Sequence, residues 1–456
     1  MSTIASISTA PGIGGIGIIR MSGEKSFEIL GKIFQPKTVQ KIEDIKGYTI
    51  KYGHIVENEE IIDEVLVSYF KAPRSYTTEN MCEINSHGGN IVVKKILEMC
   101  LKNGAELAEP GEFTKRAFLN GRIDLAQAES VIDVINAKSE KEAKSGIKQL
   151  EGYLSSEIKG IKQEILDVLV NIEVTIDYPE YDTPEVQEQE IKQMLESVGN
   201  KLEKLEKSFD NGKIIKDGIK TAIIGKPNAG KSSLLNAILK EDRAIVTDIA
   251  GTTRDTIEEF VTINGIPLNL VDTAGIRDAS DEVEKIGVEK SIKQAKNADL
   301  IIAIFDSSKD LTDEDLEILE LIKNKKSIIL LNKSDLNAKI NENDSRFTDI
   351  TDNIIKISAL NKTGIELLYG KISEMFDLNE INLDNEILIT NIRHKNIISK
   401  SLDNVKKSKE ALEMNLPIDI ITIYIKNILE DLGEITGEVV TEDIINEIFS
   451  KFCLGK

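Results

Sequence analysis

The chain has 456 residues, of which 41% are hydrophobic, and its formal net charge is −21 at pH 7. This length suits about three domains, and the acidic balance argues against general affinity for nucleic acid or anionic membranes, which need clustered Lys and Arg. No run of about 18 apolar residues is present, so no membrane span is predicted.

Cysteine usage and the first residues of the chain indicate a compartment. Cys82, Cys100 and Cys453 are scattered and odd in number, so they predict neither a disulfide framework nor a zinc site. No basic region precedes an apolar stretch at residues 1–6, so no secretory signal is predicted. These features predict a cytoplasmic protein.

A glycine-rich segment opens the N-terminal region. Residues 12–17 read Gly-Ile-Gly-Gly-Ile-Gly and formally match the dinucleotide pattern G-x-G-x-x-G. That fingerprint must follow a strand and open a helix, whereas Pro11 precedes this segment and Ile18-Ile19-Arg20 follows it. We therefore predict a turn that enters a strand, rather than a dinucleotide site.

The remainder of the N-terminal region mixes short strands with helices and predicts an α/β or α+β domain. Strand-like runs lie at 48–55, 64–70 and 81–85, and helical patterns lie at 24–34 and 91–102.

Polar residues between these elements leave the ligand of this region open. Glu83 and Arg122 fit an ordinary surface acid and base, and composition alone assigns them no partner. His87 stands beside Gly88-Gly89 and fits either a catalytic base or a turn histidine held by backbone groups, of which the second is favoured.

Amphipathic helices are predicted on both sides of the centre of the chain, because apolar residues recur there in steps of three and four. Before the centre, two such stripes run through Leu154, Ile158, Ile161, Ile165, Val168 and Ile172, and through Ile191, Met194 or Leu195, Val198, Leu202 and Leu205. After residue 380, two more run through Ile389, Ile392, Leu402 and Val405, and through Ile418, Ile421, Tyr424, Ile425, Ile428 and Leu432.

Such helices must bury their apolar stripes, and neither flank alone resembles a full bundle. We therefore predict that residues 121–215 and 376–456 pack together as one discontinuous helical domain. Residues 216–375 would then form an inserted domain, which is tolerated where the termini of the guest lie close together.

The inserted region begins with a phosphate-binding loop. Residues 225–232 read Gly-Lys-Pro-Asn-Ala-Gly-Lys-Ser, between a predicted strand at 221–224 and a predicted helix at 233–239. The N–H groups of such a turn and the positive end of the helix form an anion site. Lys231 would reach the β- and γ-phosphates, and Ser232 would bind Mg²⁺.

Further motifs follow in the order of a GTPase. Gly251-Thr252-Thr253-Arg254-Asp255 supplies Thr253 for Mg²⁺ and the γ-phosphate, and Asp272-Thr273-Ala274-Gly275 supplies Asp272 toward the metal. Asn332-Lys333-Ser334-Asp335 places a carboxylate that accepts from guanine N1–H and its exocyclic amine together, a donor pair that adenine lacks. Ser358-Ala359-Leu360 would close over the base.

These motifs predict a doubly wound, Ras-like P-loop domain that binds GTP, because ligands of such sheets lie at the C-terminal ends of strands. Ile276 stands where Ras-type GTPases carry a glutamine that orients the attacking water. Isoleucine cannot orient water, so another group must. Acidic candidates lie at Asp281-Glu282-Val283-Glu284, each of which also fits a solvated helix face.

The inserted GTPase domain, the turn at residues 12–20 and the terminal Cys453-Leu454-Gly455-Lys456 together resemble the MnmE (TrmE) family of tRNA-modification GTPases. The similarity runs the full length, and Leu125-Ala126-Gln127-Ala128-Glu129 is among its most specific parts. The family implies that residues 1–120 form a tetrahydrofolate-binding domain that also mediates homodimerisation.

The resemblance also implies roles for individual residues. The folate-binding positions are Arg20, Glu83, Arg122 and Lys456, and the catalytic acid that orients water is Glu284. The Mg²⁺ ligands are Ser232 and Thr253, and the K⁺ ligands are Asn228, Thr247, Ile249 and Thr252. With the motifs above, the predicted GTP-binding residues are Asn228, Ala229, Gly230, Lys231, Ser232, Ser233, Thr247, Asp248, Ile249, Ala250, Gly251, Thr252, Thr253, Asp272, Thr273, Ala274, Gly275, Asn332, Lys333, Asp335, Ser358 and Ala359.

The family further implies partners and a reaction. A flavoprotein, MnmG, would join the chain in a heterotetramer or larger complex, and the two would add an aminomethyl or carboxymethylaminomethyl group at carbon 5 of the wobble uridine in certain tRNAs. A one-carbon unit on tetrahydrofolate would be the donor. Because a strongly acidic chain binds tRNA poorly by itself, much of the tRNA contact would belong to the partner. Cys453 fits either a nucleophile or a structural cysteine.

Two alternatives stay open at this point. A ribosome-assembly GTPase that acts as a timing switch would carry the same nucleotide motifs, although no basic RNA-binding module is evident. A folate-binding methyl-transfer enzyme with a regulatory GTPase domain is the other.

Overall fold

In the computed structural model, the described residues are 1–38, 47–177, 184–239, 259–270, 297–378 and 387–456. The chain divides into two compact units. The first unit collects residues 1–136, 146–204 and 396–456, and the second collects residues 137–145 and 205–395.

The described strands and helices are numbered here in chain order. The strands are β1 (Ile4–Ile7), β2 (Gly17–Ser22), β3 (Phe34–Pro36), β4 (Thr49–Glu57), β5 (Glu60–Phe70), β6 (Met81–Ser86), β7 (Glu106–Leu107), β8 (Ile219–Ile224), β9 (Glu259–Ile263), β10 (Ile266–Leu270), β11 (Leu300–Asp306), β12 (Ser327–Asn332) and β13 (Ile354–Lys356). The helices are α1 (Ser26–Ile33), α2 (Asn90–Lys102), α3 (Glu112–Leu119), α4 (Leu125–Asn136), α5 (Glu140–Leu150), α6 (Tyr153–Asp177), α7 (Pro184–Asp217), α8 (Lys231–Leu239), α9 (Asp313–Ile322), α10 (Ser345–Thr348), α11 (Ile365–Met375), α12 (Ile392–Glu413), α13 (Ile418–Thr436) and α14 (Glu442–Ser450).

The first unit contains a seven-stranded sheet in the order β3-β4-β5-β6-β2-β1-β7. Neighbouring strands are antiparallel except β1 and β7, which are parallel. Alternate residues of β2 and β6 enter the core, where Ile19 and Ile84 are fully buried, and α1 and α2 pack on this sheet. This mixture of a largely antiparallel sheet with helices confirms the predicted α/β or α+β domain.

The glycine-rich segment forms no helix. Residues 8–16 are turns and loops, and β2 begins at Gly17. The sequence therefore lacks the strand-to-helix context of a dinucleotide fingerprint, as predicted.

In the first unit, α6 packs against α13, which joins the two helical flanks that the sequence separates. The buried face of α6 includes Leu154, Ile158, Ile161, Ile165, Leu169 and Ile172. Val168, which the apolar spacing assigns to this face, is only half-buried. Leu169 is buried in its place, because residues four apart, such as Ile165 and Leu169, lie on the same face of a helix. The helical domain is thus discontinuous, and the GTPase-like domain is inserted in it.

The predicted apolar stripe of α12 differs from the observed one. Ile389 is buried but precedes the helix, and Ile392 is 58% exposed. Val405 is buried as predicted, and α12 also buries Asn404, whose amide donates to Asp431 on α13 at 2.9 Å. Lys400 pairs with the same carboxylate at 2.7 Å. A scan for apolar periodicity misses this face because hydrogen bonds and an ion pair satisfy its polar groups.

The second unit contains a six-stranded sheet in the order β13-β12-β11-β8-β10-β9. All neighbouring strands are parallel except β9 and β10. Residues 301–305 and 328–331 are buried on both faces of the sheet, between two apolar clusters, as expected for parallel strands covered on both sides. This order confirms the predicted Ras-like, doubly wound fold, in which the carboxyl ends of the parallel strands meet at one edge.

The chain passes between the two units at four points. Three of them fall inside helices, at 145–146 in α5, at 204–205 in α7 and at 395–396 in α12, and the fourth, at 136–137, directly follows α4. The division into domains at 1–120, 121–215 with 376–456, and 216–375 stays a prediction. Among the described helices, none combines the length and hydropathy that crossing a bilayer requires.

Candidate functional site

The phosphate loop lies between β8 and α8, at the carboxyl edge of the second sheet. Gly225 directly follows β8 in the chain. It packs so closely against β11 that a Cβ at this position would overlap the carbonyl of Ile304. Gly230 has a φ of +110°, and a Cβ there would overlap the side-chain amide of Asn332. Close packing therefore requires both glycines of the motif, and the backbone conformation requires glycine at Gly230 as well.

Lys231 begins α8 and turns back over the loop. Its ammonium donates to the carbonyls of Gly225 at 2.6 Å and Lys226 at 2.8 Å. Ser232 and Ser233 are exposed in the first turn of the helix. An ammonium, a hydroxyl and the N–H groups of a helix start are thus placed together, which is the donor set that binds phosphate.

The side chain of Asn332 joins the phosphate loop to the turn after β13. Its Nδ2 donates to the carbonyl of Ala229 at 2.7 Å, and its Oδ1 accepts from the N–H of Ala359 at 3.0 Å. Asn332 is 3% exposed. Because both ends of the amide are used inside the protein, Asn332 acts as a structural link between the two loops.

Asp335 and Ser358 lie at the same edge of the sheet. Ser358 Oγ donates to Asp335 Oδ1 at 2.6 Å, and Ser358 itself is buried, whereas Asp335 is exposed. The N–H of Ser334 donates to the carbonyl of Ile357 at 3.1 Å. These bonds hold an accessible carboxylate in a fixed direction beside the turn that carries Ala359.

Lys333 has a φ of +63° and donates to Asp306 Oδ2 at 2.6 Å. Burial alone would raise the pKa of Asp306, but hydrogen bonds from Lys333 and Ser308 outweigh it, so the pKa of this carboxyl is lowered. Asp306 therefore stays ionised and holds the stem of Lys333 at the edge of the site.

Several predicted site residues lie outside the described residues. They are Thr247, Asp248, Ile249, Ala250, Gly251, Thr252, Thr253, Asp272, Thr273, Ala274, Gly275 and Glu284. Among the described residues, no group of His, Cys, Asp and Glu is arranged to hold a metal ion.

A second group of predicted residues meets in the first unit. Arg20 on β2 faces Glu83 on β6, and its Nη2 and Nε lie 2.8 and 2.9 Å from Glu83 Oε1. Arg20 also donates to the carbonyl of Gly455 at 3.2 Å. Its Cζ lies 5.6 Å from the ring centroids of both Tyr76 and Phe113. The side chains of Arg20 and Glu83 are 16% and 19% exposed, so the pair is largely shielded from water.

Arg122 and the end of the chain complete this group. Arg122 Cζ lies 4.6 Å from the centroid of Tyr76, and the carbonyl of Lys456 accepts from the N–H of Phe113 at 3.2 Å. Gly455 has a φ of +85° and lies so close to β1 that a Cβ would overlap the carbonyl of Ile7. The structure thus places Arg20, Glu83, Arg122 and Lys456 around two aromatic rings. Cys453 is an exposed free cysteine.

His87 is held by a carboxylate rather than by backbone groups, which corrects the favoured interpretation of this residue. Its Nδ1 lies 2.7 Å from Asp63 Oδ1, and its N–H donates to Asp63 Oδ2 at 2.8 Å. The hydrogen bond to Asp63 and the charge of that residue raise the pKa of His87.

Sequence reasoning missed two residues of these sites. Tyr76 lies in a polar segment and carries no motif, so only its contacts with Arg20 and Arg122 reveal it. Asp306 is the last residue of β11. An acid at the end of a buried parallel strand is a signal that could have identified it.

Family models match both parts of the chain. The model described as "MnmE helical domain" matches residues 125–453, and "GTP-binding protein TrmE N-terminus" matches residues 3–122. The chain is 51% identical over 454 residues to the "tRNA modification GTPase MnmE" of Clostridioides difficile (strain 630), covering 100% of this chain and 99% of that protein. Proteins of the same name from Alkaliphilus oremlandii (strain OhILAs) and Thermoanaerobacter pseudethanolicus (strain ATCC 33223 / 39E) are 50% and 51% identical, again over 100% of this chain and 99% of theirs.

The link made by Asn332 predicts a measurable loss of stability. Asn332→Ala would leave the buried carbonyl of Ala229 and the N–H of Ala359 without this partner, so we expect the free energy of unfolding to fall by about 1–3 kcal/mol. Urea denaturation of the purified full chain would measure it. Asn361→Ala, at an exposed position in the neighbouring turn, should stay within about 0.5 kcal/mol of the parent. Equal stability of both variants would contradict the assigned role.

Proposed function

The chain belongs to the family of tRNA modification GTPases MnmE, and we propose that it hydrolyses GTP as the driving step of wobble-uridine modification. The observation that carries this proposal is the position of Asp335, an exposed carboxylate fixed by Ser358 at the edge that also holds the phosphate loop. Base and phosphates of one nucleotide can therefore be bound together.

Guanine is the base that this arrangement favours. A carboxylate accepts the N1–H and the exocyclic amine of guanine as a bidentate, charge-assisted pair, and adenine presents no such pair. Lys333, held by Asp306, would lay its stem over the base, and the N–H of Ala359 lies in the turn that would close over it.

At the other end of the site, Lys231 and the start of α8 would bind the β- and γ-phosphates. Ser232 offers an exposed hydroxyl there, which fits one ligand of Mg²⁺, and Thr253 would be the other. The ion supplies charge neutralisation at the phosphates when bound. Asp272 and Gly275 would support this end of the nucleotide, and Glu284 would orient the attacking water.

A potassium ion is proposed in place of an arginine finger. Asn228 is exposed in the phosphate loop with a φ of +62°, so its side-chain oxygen is available as a ligand. Thr247, Ile249 and Thr252 would supply the others.

The cluster around Tyr76 is the proposed tetrahydrofolate site. Arg20 and Arg122 present cations to a flat aromatic ring, and a folate derivative combines carboxylates with a planar ring system. Arginine binds carboxylates in bidentate fashion and stacks on planar groups. Glu83 and Lys456 add an acceptor and a donor, and a one-carbon unit on folate would be the donor for the uridine.

Partners are proposed from the surface and the charge. Ile50, Tyr52 and Leu66 are exposed on β4 and β5, and an apolar sheet face of this kind supports a homodimer through the N-terminal region. The flavoprotein MnmG would join the dimer, and because the chain carries a net charge of −21, much of the tRNA contact would lie on that partner. The complex would work in the cytoplasm.

Asp335→Asn tests the choice of base. The amide can still accept from Ser358, but it replaces an acceptor with a donor toward the base. We therefore expect GTP affinity to fall at least about tenfold, the size of a lost charge-assisted contact, and affinity for xanthosine triphosphate to rise. Equilibrium binding of fluorescent nucleotides would measure both, with the exposed Asp352→Asn as control. A parent chain that binds ATP as well as GTP would refute the proposed nucleotide.

Exchange of monovalent cations tests the hydrolytic machinery. At constant ionic strength, we expect GTP hydrolysis by the purified chain to be faster in K⁺ than in Na⁺ by about tenfold or more, on the scale of a transition-state charge. Glu284→Ala should lose most of this activity, whereas Glu282→Ala should keep it. Equal rates of GTP hydrolysis in K⁺ and Na⁺ would contradict the proposed potassium site. Full activity of Glu284→Ala would contradict the proposal that Glu284 orients the attacking water.

Analysis of tRNA nucleosides by mass spectrometry tests the pathway. A deletion strain should lack the carbon-5 group on the wobble uridine, and a plasmid copy of the chain should restore it, whereas Arg20→Ala with intact GTP hydrolysis should not. A ribosome-assembly GTPase would leave the uridine modified and alter ribosomal subunits instead. A methyl-transfer enzyme would be revealed by loss of a methylated nucleoside.

A further inference from the structure

One lysine of the phosphate loop has a partner outside the loop. Lys226 follows Gly225, and its ammonium lies 2.6 Å from Asp315 Oδ2 and 2.7 Å from Thr312 Oγ1. The side chains of Lys226 and Asp315 are 22% and 6% exposed. Solvated surface pairs usually contribute little, but this pair is shielded, and removing one partner would leave the other charge largely buried.

The acid of this pair is part of a rigid element. Asp315 Oδ2 accepts from the N–H of Thr312 at 2.9 Å and from its hydroxyl at 3.1 Å, which completes the capping box of α9. The same helix buries Leu319 and Ile322 in the core of the second unit. Lys226 is therefore tied to the folded core of its unit and not to a mobile surface chain.

The loop needs such a tie because one of its residues has an unfavourable backbone conformation. Asn228 has a φ of +62°, which is uncommon for a residue other than glycine, and such conformations persist only where the surroundings fix them. Asn332 fixes the loop at Ala229. The side chain of Lys226 fixes the start of the loop. Its backbone carbonyl also accepts from Lys231 Nζ at 2.8 Å and from the N–H of Ala229 at 3.3 Å.

We propose that Lys226 is a positioning residue for nucleotide binding, which fixes the phosphate loop through Asp315 and does not contact phosphate itself. This inference rests on the proposed GTP function. The ion pair leaves little net charge beside the phosphates, so its contribution is the shape of the loop. In that shape the Lys231 ammonium lies over the loop, bonded to the carbonyls of Gly225 and Lys226.

Two variants separate positioning from simple attraction of phosphate. Asp315→Asn would release the positive charge of Lys226 beside the nucleotide while the new side-chain oxygen can still cap α9. If Lys226 acts by its charge alone, this variant binds nucleotide more tightly than the parent. If Lys226 acts by fixing the loop, the variant binds more weakly. Lys226→Met weakens binding in both cases.

Equilibrium binding of fluorescent GDP and GTP to the full chain would decide between them. We expect Lys226→Met and Asp315→Asn each to raise the Kd about tenfold, which corresponds to about 1.4 kcal/mol. The double variant should be no weaker than the weaker single variant, because both substitutions remove the same interaction. The Kd of Lys226→Arg should stay within about threefold of that of the parent, since arginine keeps the ion pair.

Lys339→Met is a matched control. It removes an ion pair of 2.9 Å with Asp310 in the same unit, but both partners of that pair are more than half exposed. Its Kd should equal that of the parent, and thermal unfolding of each variant would report stability separately.

Three results would overturn the proposal. Tighter binding by Asp315→Asn would show that Lys226 acts by charge. Unchanged Kd values with a lower unfolding temperature would show that the pair serves stability alone. A parent chain that binds neither GDP nor GTP would refute the proposed function itself, which is distinguishable because the reference protein then fails.

Discussion

A buried side-chain amide, that of Asn332, joins the two ends of the proposed nucleotide site. It donates to the phosphate loop at Ala229 and accepts from the turn that holds Ala359. These loops follow different strands, β8 and β13, that are not neighbours in the sheet. Because one amide spans them, the spacing between the base end and the phosphate end is set by a rigid group and not by the length of either loop.

The same arrangement explains why the loop around Lys231 keeps an unusual conformation. Asn332 holds one side, and the ion pair of Lys226 with Asp315 holds the other. Both anchors come from elements packed on the hydrophobic core of the sheet, so the stability of the core is transmitted to the backbone N–H groups that would meet phosphate. In the first unit, the chain end has a comparable role. Arg20 donates to the carbonyl of Gly455, 435 residues away in sequence, so the end of the chain helps to position the group around Tyr76.

Much of the fold follows from local pattern. Buried parallel strands are continuous apolar runs, and the phosphate loop has a spacing that few other functions share. The strand predicted at 221–224 is accordingly observed as β8 (Ile219–Ile224). The buried face of a helix is predicted less accurately, because it depends on the exact helical phase. In α6, Leu169 is buried where Val168 is predicted. An apolar scan does not find the polar residues on the buried face of α12, because a hydrogen bond between Asn404 and Asp431 and the ion pair of Asp431 with Lys400 satisfy them.

Residue type and spacing along the chain are enough to predict the nucleotide class, the insertion of one domain in another and the motif residues. Which distant groups meet is visible only in the folded chain. It placed Asp63 on His87, Tyr76 between Arg20 and Arg122, and Asp315 on Lys226. Such pairs depend on strand register and on helix packing between segments far apart in the chain. Contacts of this kind produce no periodic pattern in the sequence.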